Sequence, residues 1–159
     1  MKPAAPQPTP LNWQLKAFAE LAPAELYAIL ALRERVFIVE QNCAYADCDD
    51  RDPVAHHLMG WSKDQKLVAY SRLLPQQTRF KEVSIGRVVV DLEHRGQQLG
   101  RTVMLKSMEA IGSLHGAGPI RISAQSYLLR FYQSLGFQKQ GSEYLEDGIP
   151  HYEMLHLGN

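Results

Sequence analysis

Cysteine is scarce in this chain: Cys43 and Cys48 are the only two in 159 residues. In an unsecreted protein two thiols are expected reduced rather than bridged, and no Cys/His set has the spacing of zinc ligands. A surplus of charge is also missing, because 17 basic residues balance 17 acidic ones. That argues against a protein held to nucleic acid by phosphate attraction. No segment approaches the roughly 20 apolar residues of a membrane span, so no membrane partner is expected. Met1 to Pro10 is rich in proline and alanine and lacks the apolar centre of a signal peptide. The sequence therefore predicts a loose tail over 1–10, one domain over 11–159, and a cytoplasmic location without a metal.

What is present is organised around one stretch, Val83 to Arg101, which reads as a strand, a glycine-bearing turn and the start of a long helix. The β-branched run Val88, Val89, Val90 favours extended backbone. Gly96 and Gly100 bracket the turn, and from Leu99 the apolar positions Val103, Met104, Met108, Ile111 and Leu114 recur at three- and four-residue steps. Arg101, Lys106, Glu109 and Gly112 fall opposite, so one side of this helix packs on a sheet. A helix opening from a short glycine turn presents unpaired N–H groups and the positive end of its dipole, a seat for an anion and most often for phosphate. Arg95 and Arg101 add fixed charge beside it. An ordinary strand-turn-helix connection with surface arginines fits the same residues.

Before this stretch, Leu11 to Ala19 alternates and reads as a first strand. Pro23 then opens a helix with Leu26, Ile29, Leu30, Val36 and Phe37 on one stripe. Arg33 lies within the stripe, either as a snorkelling side chain with a buried stem or as a charge aimed into a substrate cleft. Glu40 to Pro53 has four aspartates and little apolar period, which predicts a short helical turn and a solvated acidic loop. Beside an acceptor site such a loop would attract a cationic amine; its spacing is not that of a calcium loop. His56–Trp61 and Leu67–Leu74 form a hairpin across Ser62 to Gln65, with His56 and His57 on opposite faces.

After the central helix, which stops near His115–Pro119, Ile120–Ala124 is a short strand. Leu128, Phe131, Tyr132 and Leu135 follow helical spacing. Phe137–Tyr144 and His151–Leu157 close the chain as strands around a turn over Glu146 to Pro150. This order predicts an α/β (α+β) fold, a mixed sheet covered by helices.

Arg95-Gly96-Gln97-Gln98-Leu99-Gly100 resembles the Arg/Gln-x-x-Gly-x-Gly pyrophosphate loop of the GNAT N-acetyltransferases, with Gln98 where glycine is usual. Ser126 to Phe137 is similar to that family's helix-then-strand motif, with Tyr132 four residues before Gly136-Phe137. Leu32 to Cys43, the aspartate-rich loop, Gly86 to Val90 and Asp147 to His151 together look like the ElaA-like branch. The resemblance implies the acyl-CoA N-acyltransferase fold, a mixed and mostly antiparallel sheet flanked by helices, with acetyl-CoA as co-substrate.

It further implies that the backbone of Val88, Val89 and Val90 pairs with the pantetheine arm, where a strand bulge opens the sheet. Arg95, Gly96, Gln97, Gln98, Leu99, Gly100 and Arg101 would hold the pyrophosphate. Gln125 stands where many relatives carry asparagine. Tyr132 occupies the general-acid position, although its apolar stripe also suits a core aromatic. The acceptor would be a small-molecule or protein amine. Arg33, Glu40, His57 and His151 are acceptor-site candidates, and the sequence does not rank Glu40, His57 and His151 as the base. Two other readings are an acyl-homoserine-lactone synthase-like N-acyltransferase and a non-catalytic acetyl-CoA-binding module. The sequence leaves a homodimer open.

Overall fold

The alternating and helical periods of the sequence fold into a seven-stranded sheet with helices on both faces. The computed structural model describes residues 7–158 together with Met1, Pro3 and Ala4. Lys2, Ala5 and Pro6 of the expected loose tail, and Asn159, lie outside the described residues. The strands are β1 (Asn12–Ala17), β2 (His56–Trp61), β3 (Leu67–Leu74), β4 (Val83–Val90), β5 (Ile120–Gln125), β6 (Gln138–Glu146) and β7 (Ile149–His156). The helices are α1 (Pro23–Arg33), α2 (Leu99–His115) and α3 (Leu129–Gln133). The sheet order is β1-β2-β3-β4-β5-β7-β6, antiparallel throughout except for β4 beside β5.

β3 is buried along its whole length, which is why Leu67 to Leu74 shows almost no polar alternation. One core lies on the α1 side and joins Ile29, Leu32 and Val36 to Met59, Tyr70 and Val89. The other lies on the α2 and α3 side and joins Met104, Ile111, Tyr132 and Leu135 to Ile85, Ile122, Phe137 and Met154. The buried stripe of α2 is Leu99, Val103, Met104, Ser107 and Ile111. Leu114, expected on that stripe, is 37 % exposed in the last turn, beyond the reach of the sheet. Ser107 earns its buried place by bonding the Val103 carbonyl at 2.6 Å and Ser71 of β3 at 2.7 Å.

Two local departures from the sequence reading shape the site. The α1 stripe does continue through Val36 and Phe37, but Glu34–Glu40 winds wider, with Gln41 N–H donating to Val36 and Cys43 N–H to Ile38, each five residues back. Val36, Ile38 and Val39 are β-branched and crowd a regular α turn, which the wider turn relieves. The closing hairpin is also tighter than expected. Asp147 and Gly148, at φ +51° and +77°, make a two-residue turn of the kind that suits strand twist. It sets Glu146 opposite Ile149 and Tyr144 opposite His151.

β4 carries a bulge. Tyr70 pairs with Val89 and Arg72 with Gly86, so Ser71 alone faces both Arg87 and Val88. Arg87 absorbs the extra residue at φ +50°, an uncommon conformation for a long side chain. Its guanidinium is held by Asp47 at 2.8 Å, by the Asp47 carbonyl at 3.0 Å and by the Tyr45 ring at 5.5 Å.

The acidic loop is therefore not solvated. Arg33, 0 % exposed, bonds Asp47 at 2.7 Å and Asp52 at 2.7 Å. Arg72, equally buried, forks onto both oxygens of Asp49 at 2.7 and 2.8 Å and reaches Asp52 at 3.0 Å. Three arginines neutralise these three aspartates, which removes the expected attraction for an amine. Burial alone would raise the Asp52 carboxyl, but bonds and charges from Arg33 and Arg72 outweigh it and hold it below the usual carboxylate range. The Asp49 carboxyl is lowered against its burial in the same way by Arg72 and Arg87.

A lowered carboxyl pKa means that the unfolded chain takes the proton first, so this stability is present above the unfolded value of about 3.9 and drains as pH falls below it. Denaturant midpoints should accordingly drop steeply below about pH 4. Asp52→Asn, which leaves Arg33 and Arg72 short of a buried partner, should cost about 3–5 kcal/mol at pH 7.

Candidate functional site

The bulge and the parallel pairing of β4 with β5 together open a cleft. The β4–β5 ladder consists of Val83 with Ile120 and Ser84 with Arg121, and then the strands part. Asp91 N–H donates to Val68 of β3 at 2.7 Å. Strand alternation then turns Asp91 and Val89 toward β3 and the peptide groups of Val88 and Val90 toward the gap. The gap is a cleft of about 850 Å³ that runs from the start of α2 to the β6–β7 hairpin. It is walled on one side by Val36, Phe37, Glu40 and Gln41 of the wide turn and on the other by Leu128, Phe131 and Tyr132.

At the α2 end, Gly96 (φ +79°) and Gln98 (φ +58°) bend the chain so that α2 begins facing the cleft. Gln98 adopts the left-handed conformation that glycine would supply, so the residue change leaves the backbone path intact. Its first amides have no intrahelical acceptor. Arg95 is bound by both oxygens of Glu40, one of them at 2.7 Å, and its Nε reaches the Val90 carbonyl at 3.3 Å. The Arg95 bond holds the Glu40 carboxyl below its ordinary range. Arg101 lines the same end and bonds Ser134 at 3.2 Å.

Tyr132 sits midway, 8 % exposed, edge-on to Phe131 and Phe137. Burial pushes its phenol up to about 12, so it keeps its proton at every physiological pH. It is at once a core aromatic and a cleft residue. At the hairpin end, His151 Nδ1 lies 2.6 Å from the Ile149 carbonyl and Nε2 lies 3.3 Å from Glu146. Glu146 is also bonded by Arg79, and Ser123 bonds Tyr144.

The sequence-predicted residues sort cleanly. Val88, Val89, Val90, Arg95, Gly96, Gln98, Leu99, Gly100, Arg101, Gln125, Tyr132, Glu40 and His151 all line the cleft, but Val89 turns its peptide groups to Tyr70 of β3, so the expected backbone pairing is left to Val88 and Val90. Gln97 turns away: its Oε1 accepts from Thr9 N–H at 2.8 Å and Thr9 Oγ at 2.6 Å, so only its backbone is available to a ligand. Arg33 and His57 are corrections. Arg33 neither snorkels nor enters the cleft but belongs to the buried ion network. His57, 0 % exposed, donates from Nε2 to the Asp52 carbonyl at 3.0 Å and accepts the Tyr70 hydroxyl at Nδ1, 2.7 Å away. Burial lowers its pKa and keeps it neutral, so it braces the network instead of facing an acceptor.

Arg79, Ser123, Tyr144 and Glu146 were missed by the sequence reading. The Asp147-Gly148 pair is the signal that places Tyr144 beside His151, once it is read as a two-residue turn. Among the described residues, Asp91, Glu93 and His94 are the group able to share a cation, and the Lys66 ammonium already stands 3.2 Å from Asp91 and 3.0 Å from Glu93. Among the same residues no helix is long and apolar enough to cross a membrane.

A parallel-and-antiparallel sheet parted beside a glycine-turn helix, with a tyrosine in the gap, defines the acyl-CoA N-acyltransferase class. The model of the acetyltransferase (GNAT) domain family matches residues 35–156, and the chain belongs to that family. It is 42% identical over 146 residues to protein ElaA of Escherichia coli K12, covering 91% of this chain and 95% of that protein. The crystal structure of E. coli ElaA superposes with a TM-score of 0.85 at 40% identity, over 92% of this chain and 99% of ElaA. An acyl-CoA N-acyltransferase from Pseudomonas aeruginosa gives a TM-score of 0.88 at 43% identity, with the same coverage.

Because Gln98 holds a left-handed backbone, Gln98→Gly should relieve about 1 kcal/mol of strain. A rise in denaturant midpoint without change in the slope is the expected result.

Proposed function

We propose that this protein transfers the acetyl group of acetyl-CoA to an amine, on a small molecule or a protein, by direct attack within a ternary complex. The observation that carries the reading is the β4 edge at Val88 and Val90, which has no partner strand beyond Ser84 and meets only the Arg95 side chain at the Val90 carbonyl, and which leads from the α2 N-terminus past Tyr132. An extended amide-bearing arm can complete that edge as a strand would, and the α2 amides suit a pyrophosphate. Arg101 supplies matching charge, while Arg95 stands beside it paired with Glu40, and Gln125, whose Nε2 donates to Gln41 Oε1 at 3.3 Å, lines the β5 side. Bound there, acetyl-CoA would supply an activated thioester.

The chain's own residues then have three tasks. The Val88 to Val90 edge orients the arm. Tyr132, protonated throughout, donates to the sulfur as charge develops on it. A thiolate of ordinary pKa about 8.5 is a weak base toward a phenol pushed up to about 12, so the proton moves as the C–S bond breaks and charge develops on sulfur. Tyr132 thus acts by offering its proton from a buried position on the cleft wall. The third task, removing a proton from the amine, falls at the hairpin end. The free thiols of Cys43 and Cys48 suit the cytoplasm as the place of action.

The test has two arms. Saturating acetyl-CoA should raise the melting temperature, corresponding to about 2.7 kcal/mol at a hundredfold excess over Kd. Gly100→Val should weaken this binding without unfolding the protein, because the Phe131 ring at 3.9 Å is the neighbour an added carbon meets. The second arm is CoA thiol release across free amino acids, polyamines, amino sugars and peptides. Tyr132→Phe should lower turnover about 10²–10⁴-fold while leaving acetyl-CoA affinity nearly unchanged. Binding with no turnover on any acceptor would make the protein a cofactor-binding module. A preference for long acyl-CoA over acetyl-CoA would favour a synthase-like N-acyltransferase.

A further inference from the structure

β5, β6 and β7 pair in register, so Gln125, His151 and Tyr144 stand in one row across the sheet. Strand alternation brings Ser123, Glu146 and Glu153 onto the same face. Both His151 and Glu146 line the cleft that holds Tyr132. This face gathers titratable groups around one ring. Glu146 approaches His151 from β6, Tyr144 stacks on it at 6.0 Å, Glu153 follows two residues along β7, and Arg79 reaches Glu146 from the β3–β4 connection.

The hydrogen bonds define which nitrogen is reactive. A carbonyl oxygen only accepts, so Nδ1, 2.6 Å from the Ile149 carbonyl, carries a proton. In the neutral ring the lone pair is then on Nε2, and the Glu146 carboxylate 3.3 Å away has nothing to donate to it. A proton arriving at Nε2 makes the ring a cation beside the Glu146 carboxylate 3.3 Å away, which favours the charged form. Arg79 also pairs with Glu146, so the carboxylate's charge is divided between the guanidinium and the imidazolium. The other candidates are occupied. Glu40 is bound by Arg95 through both oxygens, His57 uses both nitrogens inside the core, and Glu146 itself carries Arg79.

We propose that His151 Nε2 is the base that takes a proton from the acceptor amine, and that Glu146 is the residue positioning the ring and holding its charged form. The assignment rests on the acyl-transfer reading above. An ammonium acceptor gives one proton to Nε2, which passes to solvent. The freed nitrogen forms the C–N bond as the C–S bond breaks, and sulfur leaves with the electron pair and takes a proton from Tyr132. The second nitrogen proton restores Tyr132 through solvent, so the products are amide, thiol and one net proton.

The experiment compares wild type, His151→Asn, His151→Ala and Glu146→Gln, using acetyl-CoA and the amine with highest turnover in the acceptor panel. Asparagine can keep the bond to the Ile149 carbonyl but has no basic nitrogen, so His151→Asn separates base chemistry from support of the hairpin. Acetyl-CoA thermal shifts should match wild type in all variants. Turnover of His151→Asn and His151→Ala should fall about 10²–10⁴-fold. The acid limb of the wild-type pH–kcat/KM profile should disappear, and added imidazole should restore His151→Ala. Glu146→Gln should fall less and shift that limb.

Wild-type turnover in His151→Asn, or an unchanged acid limb, overturns the assignment while the acyl-transfer reading stands. Failure of imidazole to restore a folded, acetyl-CoA-binding His151→Ala protein likewise overturns it. If the wild-type protein binds no acetyl-CoA, or binds it and acetylates nothing, the acyl-transfer reading falls and the base falls with it.

Discussion

The ion pairs between Arg87 and the loop carboxylates Asp47 and Asp49 hold the residue on which the cleft depends. Arg87 is the extra residue of the β4 bulge, and its left-handed backbone persists because Asp47, Asp49 and Tyr45 fix the guanidinium. Without the bulge, β4 would continue in flat register with β3, and nothing would start the divergence from β5. Arg33 and Arg72 anchor the other sides of the same carboxylates, one from α1 and one from β3. Such buried pairs add little net stability over a well-packed apolar core. Their effect here is to specify one register, since any slip strands several buried charges.

The sheet divides the labour of burial. α1 and its wide extension cover one face and α2 with α3 the other, so the cleft at the β4–β5 parting is the place where the two layers fail to meet. Ion pairs stand at both ends of that opening, Arg95 with Glu40 near α2 and Arg79 with Glu146 near the hairpin. Each pair keeps a charged side chain poised in a partly desolvated groove. Between them the walls are the apolar and aromatic side chains of Phe37, Leu128, Phe131 and Tyr132.

Much of this was legible from the chain because it depends on neighbours in sequence. The β-branched run to Val90, the Gly96 turn and the three- and four-residue steps of α2 are local, and the structure reproduces them within a residue or so. The same holds for the β2–β3 hairpin and for Tyr132 ahead of Gly136-Phe137. Boundaries slipped where a short-range competitor won. The first strand ends at Ala17 because Glu20 bonds back to the Ala17 amide. α3 is a single short turn of helix preceded by a tighter turn.

What the sequence by itself determined was the order of elements, the one-sided helices and the glycine-turn anion seat, all properties of local period and backbone preference. Only the tertiary structure decided the fate of the charges. Four aspartates in a polar loop read as solvated, and Arg33 as a cation free to face a cleft, because periodicity carries no information on which distant charge will be their partner. Arg33 and Asp52 are 19 residues apart, Arg72 and Asp49 are 23 apart, and Arg87 lies 40 residues from Asp47. Those pairings exist only once α1, β3 and β4 have packed around the loop. The low-dielectric interior they create then makes each carboxylate bind its arginine instead of water.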